Sequence, residues 1–228
     1  MCGRFNSIAS GKDFAYTYSA DFLGDELAPN FNVAPTTPIY ILRQDGERRI
    51  VETMTWGLVP SWSKDKTRSA SMINARSETI AEKPSFRNLV SKHRCIIPIQ
   101  GFYEWEILAS DTKRPKKQAH YIWRTDERVM TLAGLWTSWK QPDSQILRSC
   151  TIITIDANSK LAPIHHRMPV ILDGNAMESW LNEATPEPLA VLRACENEIV
   201  ASQPTSRLGR AVKTSTPQLN DDATGRLF

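Results

Sequence analysis

Cysteine is scarce in this sequence, with four residues in 228 and none of them in a Cys-x-x-Cys pair. Such few and widely spaced cysteines argue against a disulfide framework and are typical of a cytoplasmic protein. The histidines and cysteines show no clear zinc-ligand spacing, so we expect no metal. No glycine-rich phosphate loop or dinucleotide fingerprint is present, and we therefore expect no cofactor. No apolar run is long enough for a signal peptide or a membrane span, so we expect no membrane partner.

Charge of either sign is also modest. The chain carries 28 Lys and Arg against 25 Asp and Glu, a formal net charge of +3, and its pI is near 8.7. This mild basicity permits contact with nucleic acid without requiring it. Apolar residues make up 41% of the chain, enough for a large core, and we expect one monomeric domain over residues 1–228. Residues 217–228 are polar and are predicted to form a mobile tail.

Short β-type runs dominate the first two-thirds of the sequence. They are rich in β-branched or aromatic residues and lie at 39–42, 50–56, 95–98, 102–105, 121–124, 129–136 and 150–155. Asp126 and Glu127 predict a hairpin between two of these runs. Helical patterns are fewer, at 85–92, 175–181 and 188–195, and a last strand is predicted at 211–214. The sequence therefore predicts an α+β protein, a single compact domain around a curved, barrel-like antiparallel β-sheet with peripheral helices.

Cys2 is a candidate for chemistry because of its position. A small second residue normally permits removal of Met1, which would leave Cys2 with a free α-amine and a thiol on adjacent carbons. Such a 1,2-aminothiol condenses with an aldehyde, first to an imine and then to a thiazolidine ring. An α-amine has a pKa near 7.7–8.0 against about 10.4 for lysine, so a useful fraction is neutral and nucleophilic at pH 7. A cysteine that is incidental at position 2 is the other interpretation.

Two polar segments stand where core sequence would be apolar. Asn74 and Arg76 share one face if residues 72–76 are extended. They offer an amide and a guanidinium group that can bind phosphate. The alternative is a surface turn with a salt bridge. Glu104 lies between two aromatic residues, where lost hydration would raise the pKa of its carboxyl into the range useful for acid–base catalysis. An exposed glutamate on an alternating strand is the other interpretation.

A third polar segment, residues 163–169, has a proline at each end and is predicted to be a rigid loop. It carries His165, His166 and Arg167. Two histidines and an arginine in such a loop suit proton transfer and anion binding. Side chains that merely face solvent would account for the same residues.

Taken together, these segments resemble the SRAP family, which is named for SOS-response-associated peptidases and known for abasic-site crosslinking. Six short strings carry the resemblance, in order and over nearly the whole chain. They are Met1-Cys2-Gly3-Arg4-Phe5, Asn32-Val33-Ala34-Pro35, Trp56-Gly57-Leu58-Val59-Pro60 followed by Trp62, Ile73-Asn74-Ala75-Arg76-Ser77-Glu78-Thr79, Gly101-Phe102-Tyr103-Glu104-Trp105 and Ile164-His165-His166-Arg167-Met168-Pro169, with Thr154 in a β-type run between the last two. Each string alone is a weak signal, and their shared order and spacing make the resemblance specific.

The resemblance implies a compact α+β fold and a protein that binds single-stranded DNA and reacts with abasic sites. The ring-opened abasic sugar is an aldehyde, so its product with Cys2 would be a thiazolidine DNA–protein crosslink, with strand cleavage by a lyase step as a further outcome. The implied catalytic residues are Cys2 as nucleophile, Asn74 for orientation, Glu104 as acid and base, and His165 for opening of the sugar ring. The implied DNA contacts are Arg4, Arg76 and Arg167 to phosphates, Trp62 at the DNA junction, and Thr154.

Two other functions stay open at this point. An N-terminal-nucleophile peptidase or amide hydrolase could use Cys2 with His165, and removal of Met1 would be its minimal form. A non-catalytic DNA- or RNA-binding module could use Trp62 and the arginines, with Cys2 incidental. Within the 163–169 loop, His166 competes with His165 for the catalytic role, and the resemblance favours His165.

Overall fold

The computed structural model describes residues 2–108 and 115–205, and this part of the chain is mostly β-structure. Its strands are β1 (Arg4–Ser7), β2 (Asp21–Leu23), β3 (Asn30–Val33), β4 (Pro38–Asp45), β5 (Arg48–Trp56), β6 (Asn74–Arg76), β7 (Arg94–Ile99), β8 (Gly101–Ile107), β9 (Lys117–Arg124), β10 (Met130–Lys140), β11 (Ile146–Asp156), β12 (Arg167–Pro169) and β13 (Val200–Thr205). Its α-helices are α1 (Gly11–Thr17) and α2 (Gly174–Leu181), and 3₁₀ helices cover Ser69–Ser71, Ser77–Thr79, Pro188–Val191 and Asn197–Ile199. The predicted strand at 211–214 and the predicted tail at 217–228 lie outside the described residues.

Five of the strands close into a barrel. β10 pairs antiparallel with β7 and β11, and β4 pairs antiparallel with β5 and β7. The ring closes where β11 runs parallel to β5, with Cys150 opposite Trp56. The side chains that alternate inward along these strands are mostly apolar, among them Ile41, Ile97 and Ile152, and they fill the interior. The barrel is therefore a packed core and not a channel.

Charged side chains occupy one end of the barrel interior. Glu52 on β5 is 6% exposed and accepts hydrogen bonds from Arg43 Nε and Arg148 Nη1, both at 2.5 Å. The guanidinium of Arg43 lies over the ring of Trp136, 5.2 Å from its centroid. Because a buried charge is tolerated only when it is paired, Arg43 and Glu52 depend on one another, whereas the side chain of Arg148 is 47% exposed.

A second sheet of five antiparallel strands, in the order β13-β9-β8-β1-β3, packs on the same core. Its inward side chains Phe5, Phe102 and Ile122 belong to one apolar cluster with those of the barrel. Gln100 alone separates β7 from β8, so the chain passes directly from the barrel into this sheet. β1 lies between β8 and β3, and this placement sets the start of the chain beside β8.

The predicted fold is confirmed in its main features. Each of the seven predicted β-type runs is a strand, and the predicted helix at 175–181 is α2. The sheet that forms the barrel is mixed rather than purely antiparallel, since its pairs β11–β5, β11–β6 and β2–β5 run parallel. Those pairs join strands that are distant in sequence, whereas short hairpin connections enforce antiparallel pairing. Neither described α-helix exceeds eight residues, and no helix in this part of the chain has the length and apolarity to cross a membrane.

Two predicted helices need correction. Residues 85–92 form successive turns instead of a helix. The amide of Leu89 donates to the carbonyl of Phe86, and that of His93 to the carbonyl of Leu89, so separate turns follow one another without a continuous helical ladder. At the end of the segment the guanidinium of Arg94 donates to the carbonyls of Val90 and Ser91, at 2.6 and 2.7 Å. The predicted helix at 188–195 shortens to the 3₁₀ helix given above.

The predicted hairpin at Asp126 and Glu127 is wrong. A turn joins β9 to β10 there, but β9 pairs with β8 and β13, while β10 pairs with β7 and β11. Asp126 instead accepts hydrogen bonds from Arg124, which is buried and also reaches Asp173. The turn therefore carries the chain from one sheet to the other.

Candidate active site

Cys2 lies two residues before β1 and is fully buried. The side-chain Nδ2 of Asn74 donates a hydrogen bond to the backbone carbonyl of Cys2 at 2.9 Å. Burial raises the pKa of the Cys2 thiol, and the negative charge of Glu104 raises it further. The thiol therefore keeps its proton at neutral pH, and Cys2 is brought together with two of the other predicted catalytic residues.

Asn74 is positioned by a short strand that pairs with the barrel. β6 runs parallel to β11, with Arg76 opposite Thr154. The carbonyl of Ile73, just before β6, accepts a hydrogen bond from the indole of Trp56 at 3.0 Å, which fixes the approach to the strand. Asn74 is half-buried and Arg76 exposed. The segment is extended, as the shared-face interpretation of Asn74 and Arg76 requires.

Glu104 enters the site from β8. Arg4 pairs with Tyr103 across β1 and β8, so Glu104 lies beside the residues that precede Arg4. Glu104 is 3% exposed, which rules out the interpretation as an exposed glutamate. Burial raises the pKa of its carboxyl, and the positive charge of the amino terminus opposes that shift. A carboxyl with a raised pKa exchanges its proton closer to neutral pH, as acid–base catalysis requires.

His165 lies in the loop between β11 and β12 and is half-buried, whereas His166 is exposed. The backbone N–H of Arg167 donates a hydrogen bond to His165 Nδ1 at 2.9 Å. Burial lowers the pKa of His165 to about 4, and the positive charge of the amino terminus acts in the same direction. The imidazole is therefore neutral at pH 7. The carbonyl of Arg167 lies 3.2 Å from the same Nδ1.

Arg167, predicted to contact a phosphate, pairs with carboxylates in this structure. Its side chain is 6% exposed, and Nη1 and Nη2 donate to the two carboxylate oxygens of Glu78 at 2.8 and 2.9 Å. Nη1 also donates to Asp156, and Nη2 to the carbonyl of Thr154. Thr154, another predicted DNA contact, is fully buried. With both terminal nitrogens engaged, Arg167 braces the loop that carries His165.

The other predicted DNA contacts lie nearer the surface. Arg4 is half-buried and Arg76 exposed, and within residues 2–108 and 115–205 neither forms an ion pair. Trp62 is 64% exposed. Its loop is anchored by a hydrogen bond from the indole of Trp139 to the carbonyl of Ser63 at 2.7 Å. An exposed aromatic ring on an anchored loop is suited to stacking on a base.

Two further features of the site were not predicted. Glu78 holds Arg167, and its place in the fourth of the six strings was the signal that could have identified it. His120 lies opposite Glu104 on β9 and contacts Glu106, and no local sequence pattern marked it. Among the described side chains, no group of three or more His, Cys, Asp or Glu could hold a metal ion.

These observations define a β-barrel protein with a second sheet, whose candidate active site is built around its own amino-terminal segment. Cys2 is held there between an amide and a buried carboxyl. The family model described as SOS response associated peptidase (SRAP) matches residues 1–211. The chain belongs to this family.

The similarity to known proteins extends over most of the chain. It is 37% identical over 224 residues to the abasic site processing protein YoqW of Bacillus subtilis (strain 168), which covers 96% of this chain and 98% of that protein. It is 34% identical over 221 residues to the abasic site processing protein HMCES of Gallus gallus, covering 83% of this chain and 65% of that protein. A solved structure of a protein from Bacteroides thetaiotaomicron has a TM-score of 0.82 at 27% identity, over 90% of this chain and 93% of that one.

Proposed function

We propose that this chain processes abasic sites in single-stranded DNA by forming a covalent crosslink through Cys2. The names of its relatives as abasic site processing proteins support the substrate. The observation that carries the proposal is the hydrogen bond from Asn74 to the Cys2 carbonyl, beside the buried carboxyl of Glu104. This arrangement holds the backbone of an amino-terminal aminothiol next to a group that can exchange protons.

Glu104 serves both proton transfers of the reaction. After removal of Met1, the α-amine of Cys2 attacks the aldehyde carbon of the ring-opened sugar. The hydroxyl of the resulting carbinolamine leaves as water once it is protonated, and a carboxyl with a raised pKa can supply that proton. The thiol then adds to the imine carbon and gives up its proton to Glu104. Because burial raises the pKa of the thiol, this second step needs a base close by.

His165 assists the step before condensation. The abasic sugar is mostly a closed hemiacetal, and opening it requires a proton at the ring oxygen. A neutral His165 can accept the proton of the C1′ hydroxyl and return it to the ring oxygen as the bond between C1′ and that oxygen breaks. Arg167 takes a positioning role in this scheme, since its pairing with Glu78 holds the loop of His165 in place.

The exposed cationic and aromatic residues would hold the DNA. Arg4 follows Cys2 by two residues, and Arg76 follows Asn74 by two, so both can neutralise phosphates beside the reacting sugar. Trp62 would stack on a base where single-stranded and duplex DNA meet. A missing base leaves room for the amino terminus to reach the sugar without flipping a stacked base.

Hydrolysis of the peptide bond before Cys2 is the second candidate, since the family is described as a peptidase. The raised pKa of the Cys2 thiol makes it a poor nucleophile for attack on an amide. In the aminothiol reaction the amine attacks first, so a buried thiol that keeps its proton is compatible with that reaction.

Intact-mass measurement tests the proposed function. After incubation with a single-stranded oligonucleotide that contains one abasic site, we expect an adduct with the mass of the chain without Met1 plus the oligonucleotide, less one water. The same oligonucleotide with a normal base in place of the lesion should give none. We also expect tighter binding to the single strand than to continuous duplex, weakening as salt rises. A protein that starts at Cys2 and yields no adduct would contradict the proposal.

His165 and His166 should differ sharply when each is replaced. His165→Ala should slow crosslinking to the closed abasic sugar by about 100-fold, the range of a lost acid–base group. It should slow reaction with a simple open-chain aldehyde far less, because no ring has to open. His166→Ala is the matched control and should change little, since its ring is exposed. Single-turnover crosslinking rates with the abasic sugar and with the open-chain aldehyde test this prediction. A larger loss of rate in His166→Ala than in His165→Ala would assign the catalytic role to His166 instead.

A further inference from the structure

Glu104 has a cross-strand neighbour that the proposed reaction leaves without a role. In the antiparallel pair of β8 and β9, Glu104 lies opposite His120. Directly opposed residues project from the same face of a sheet, with Cβ atoms about 4.5–5.5 Å apart. The side chain of His120 is 10% exposed. The buried carboxyl of the active site therefore has a buried imidazole beside it.

His120 also connects towards solvent. Its Nε2 lies 2.8 Å from Oε2 of Glu106, which follows Glu104 by two residues on the same face of β8. The side chain of Glu106 is 35% exposed. The other ring nitrogen of His120, Nδ1, is buried and has no hydrogen-bond partner in the part of the chain that the structure describes. The three side chains form a row from the active site to the surface.

Few other charged groups share this face of the sheet. β13 flanks the other side of β9, and none of its residues titrates. Arg124 is on the same face as His120 four residues along β9, and it is paired with Asp126 and Asp173. In the described strands of this sheet, Glu104 and Glu106 are therefore the charged groups nearest to His120.

The proposed crosslinking reaction, on which this inference rests, releases one proton. The α-ammonium of Cys2 must lose a proton before its nitrogen can attack. A C–N and a C–S bond then form at the aldehyde carbon, and the aldehyde oxygen leaves as water with one proton from nitrogen and one from sulfur. The ring nitrogen of the product is a weaker base than the amine and stays neutral. The proton of the ammonium therefore has to leave a site that bound DNA would cover.

We propose that His120 and Glu106 conduct this proton from Glu104 to solvent. Glu104 takes the proton from the ammonium, His120 accepts it at one ring nitrogen and releases another from the opposite nitrogen, and Glu106 passes it to water. Imidazole suits this task because one nitrogen accepts while the other donates. This route requires one water to bridge Glu104 and Nδ1 of His120. Both residues act through Glu104 and not on the DNA.

Replacement of either relay residue should slow crosslinking without weakening DNA binding. In single-turnover reactions with abasic single-stranded DNA, we expect His120→Ala and Glu106→Gln each to be about tenfold slower than wild type, less than the loss of a direct acid–base group. The double variant should be no slower than the slower single one, because both interrupt the same route. Added imidazole should restore the rate of His120→Ala, whereas the wild type should not respond. A residue with a purely structural role would show no such rescue.

His93→Ala is the matched control, because His93 is a half-buried histidine that packs on Trp136 at the charged end of the barrel. It should crosslink at the wild-type rate. Wild-type rates in His120→Ala and Glu106→Gln, or slow rates that imidazole does not restore, would overturn the relay. If His120→Ala does not fold, Glu106→Gln carries the test, since its side chain is partly exposed and the change is small. Failure of the wild type to crosslink would instead overturn the proposed function itself.

Discussion

A chain whose amino terminus carries a non-removable extension should form no heat-stable adduct with abasic DNA. An extension converts the α-amine of Cys2 into an amide, which cannot form an imine. It also adds residues before a cysteine that the structure buries completely. We therefore expect loss of the adduct to below detection, measured by denaturing electrophoresis after heating and by intact mass. Full crosslinking by the extended chain would exclude the aminothiol mechanism.

Cys2→Ala separates the two halves of the aminothiol. This variant keeps the free amine and loses the thiol, so it can still form a reversible imine. We expect slow cleavage of the abasic strand and no heat-stable adduct. DNA binding should be retained in both the extended chain and Cys2→Ala, because Arg76 and Trp62 are unchanged and exposed. Loss of binding in either would mean that the change had disturbed the fold.

Replacement of Glu52 should have the largest effect on stability. Glu52→Ala leaves the guanidinium of Arg43, whose side chain is 10% exposed, without its partner inside the barrel. Removing one member of a buried ion pair costs about 3–5 kcal/mol. The loss also breaks the link from Glu52 on β5 to Arg148 on β11, across the parallel seam that closes the barrel.

Urea unfolding followed by tryptophan fluorescence measures this loss. Glu47→Ala is the matched control, because it removes the same charge from the exposed turn between β4 and β5. Its midpoint should stay close to that of the wild type. Equal midpoints for Glu52→Ala and Glu47→Ala would show that the buried charges contribute nothing to the stability of the barrel.

The long strands of this fold are predictable from sequence, and the short ones are not. β5, β10 and β11 are runs of β-branched and aromatic residues, and that composition marks them without any knowledge of their partners. β1, β6 and β12 have three or four residues each and exist only because a longer strand pairs with them. The incorrect helix at 85–92 shows the same limit, because the segment forms separate turns that its own composition does not distinguish from a helix.

In the candidate site, too, features carried by local sequence were predictable and those that depend on distant partners were not. Cys2, Asn74, Glu104 and His165 were predicted from short strings that each carry chemistry, and the structure brings Asn74 to the carbonyl of Cys2 and Glu104 near its thiol. The role of Arg167 depends on Glu78, which lies 89 residues away in sequence. An arginine that binds phosphate and one that pairs with a carboxylate look alike in a string of residues. Only the fold distinguishes them.

The pairing of β1 with β8 imposes an order of events during synthesis. Arg4 lies opposite Tyr103, about a hundred residues later in the chain. At roughly 5–20 residues per second, β8 is completed on the order of 5–20 s after β1. During that interval Cys2 cannot yet be buried, and an aminopeptidase can reach the bond before it. Once β8 arrives, Cys2 is enclosed. The removal of Met1 that the proposed function requires would therefore be easiest before β8 is synthesised, while Cys2 is not yet enclosed.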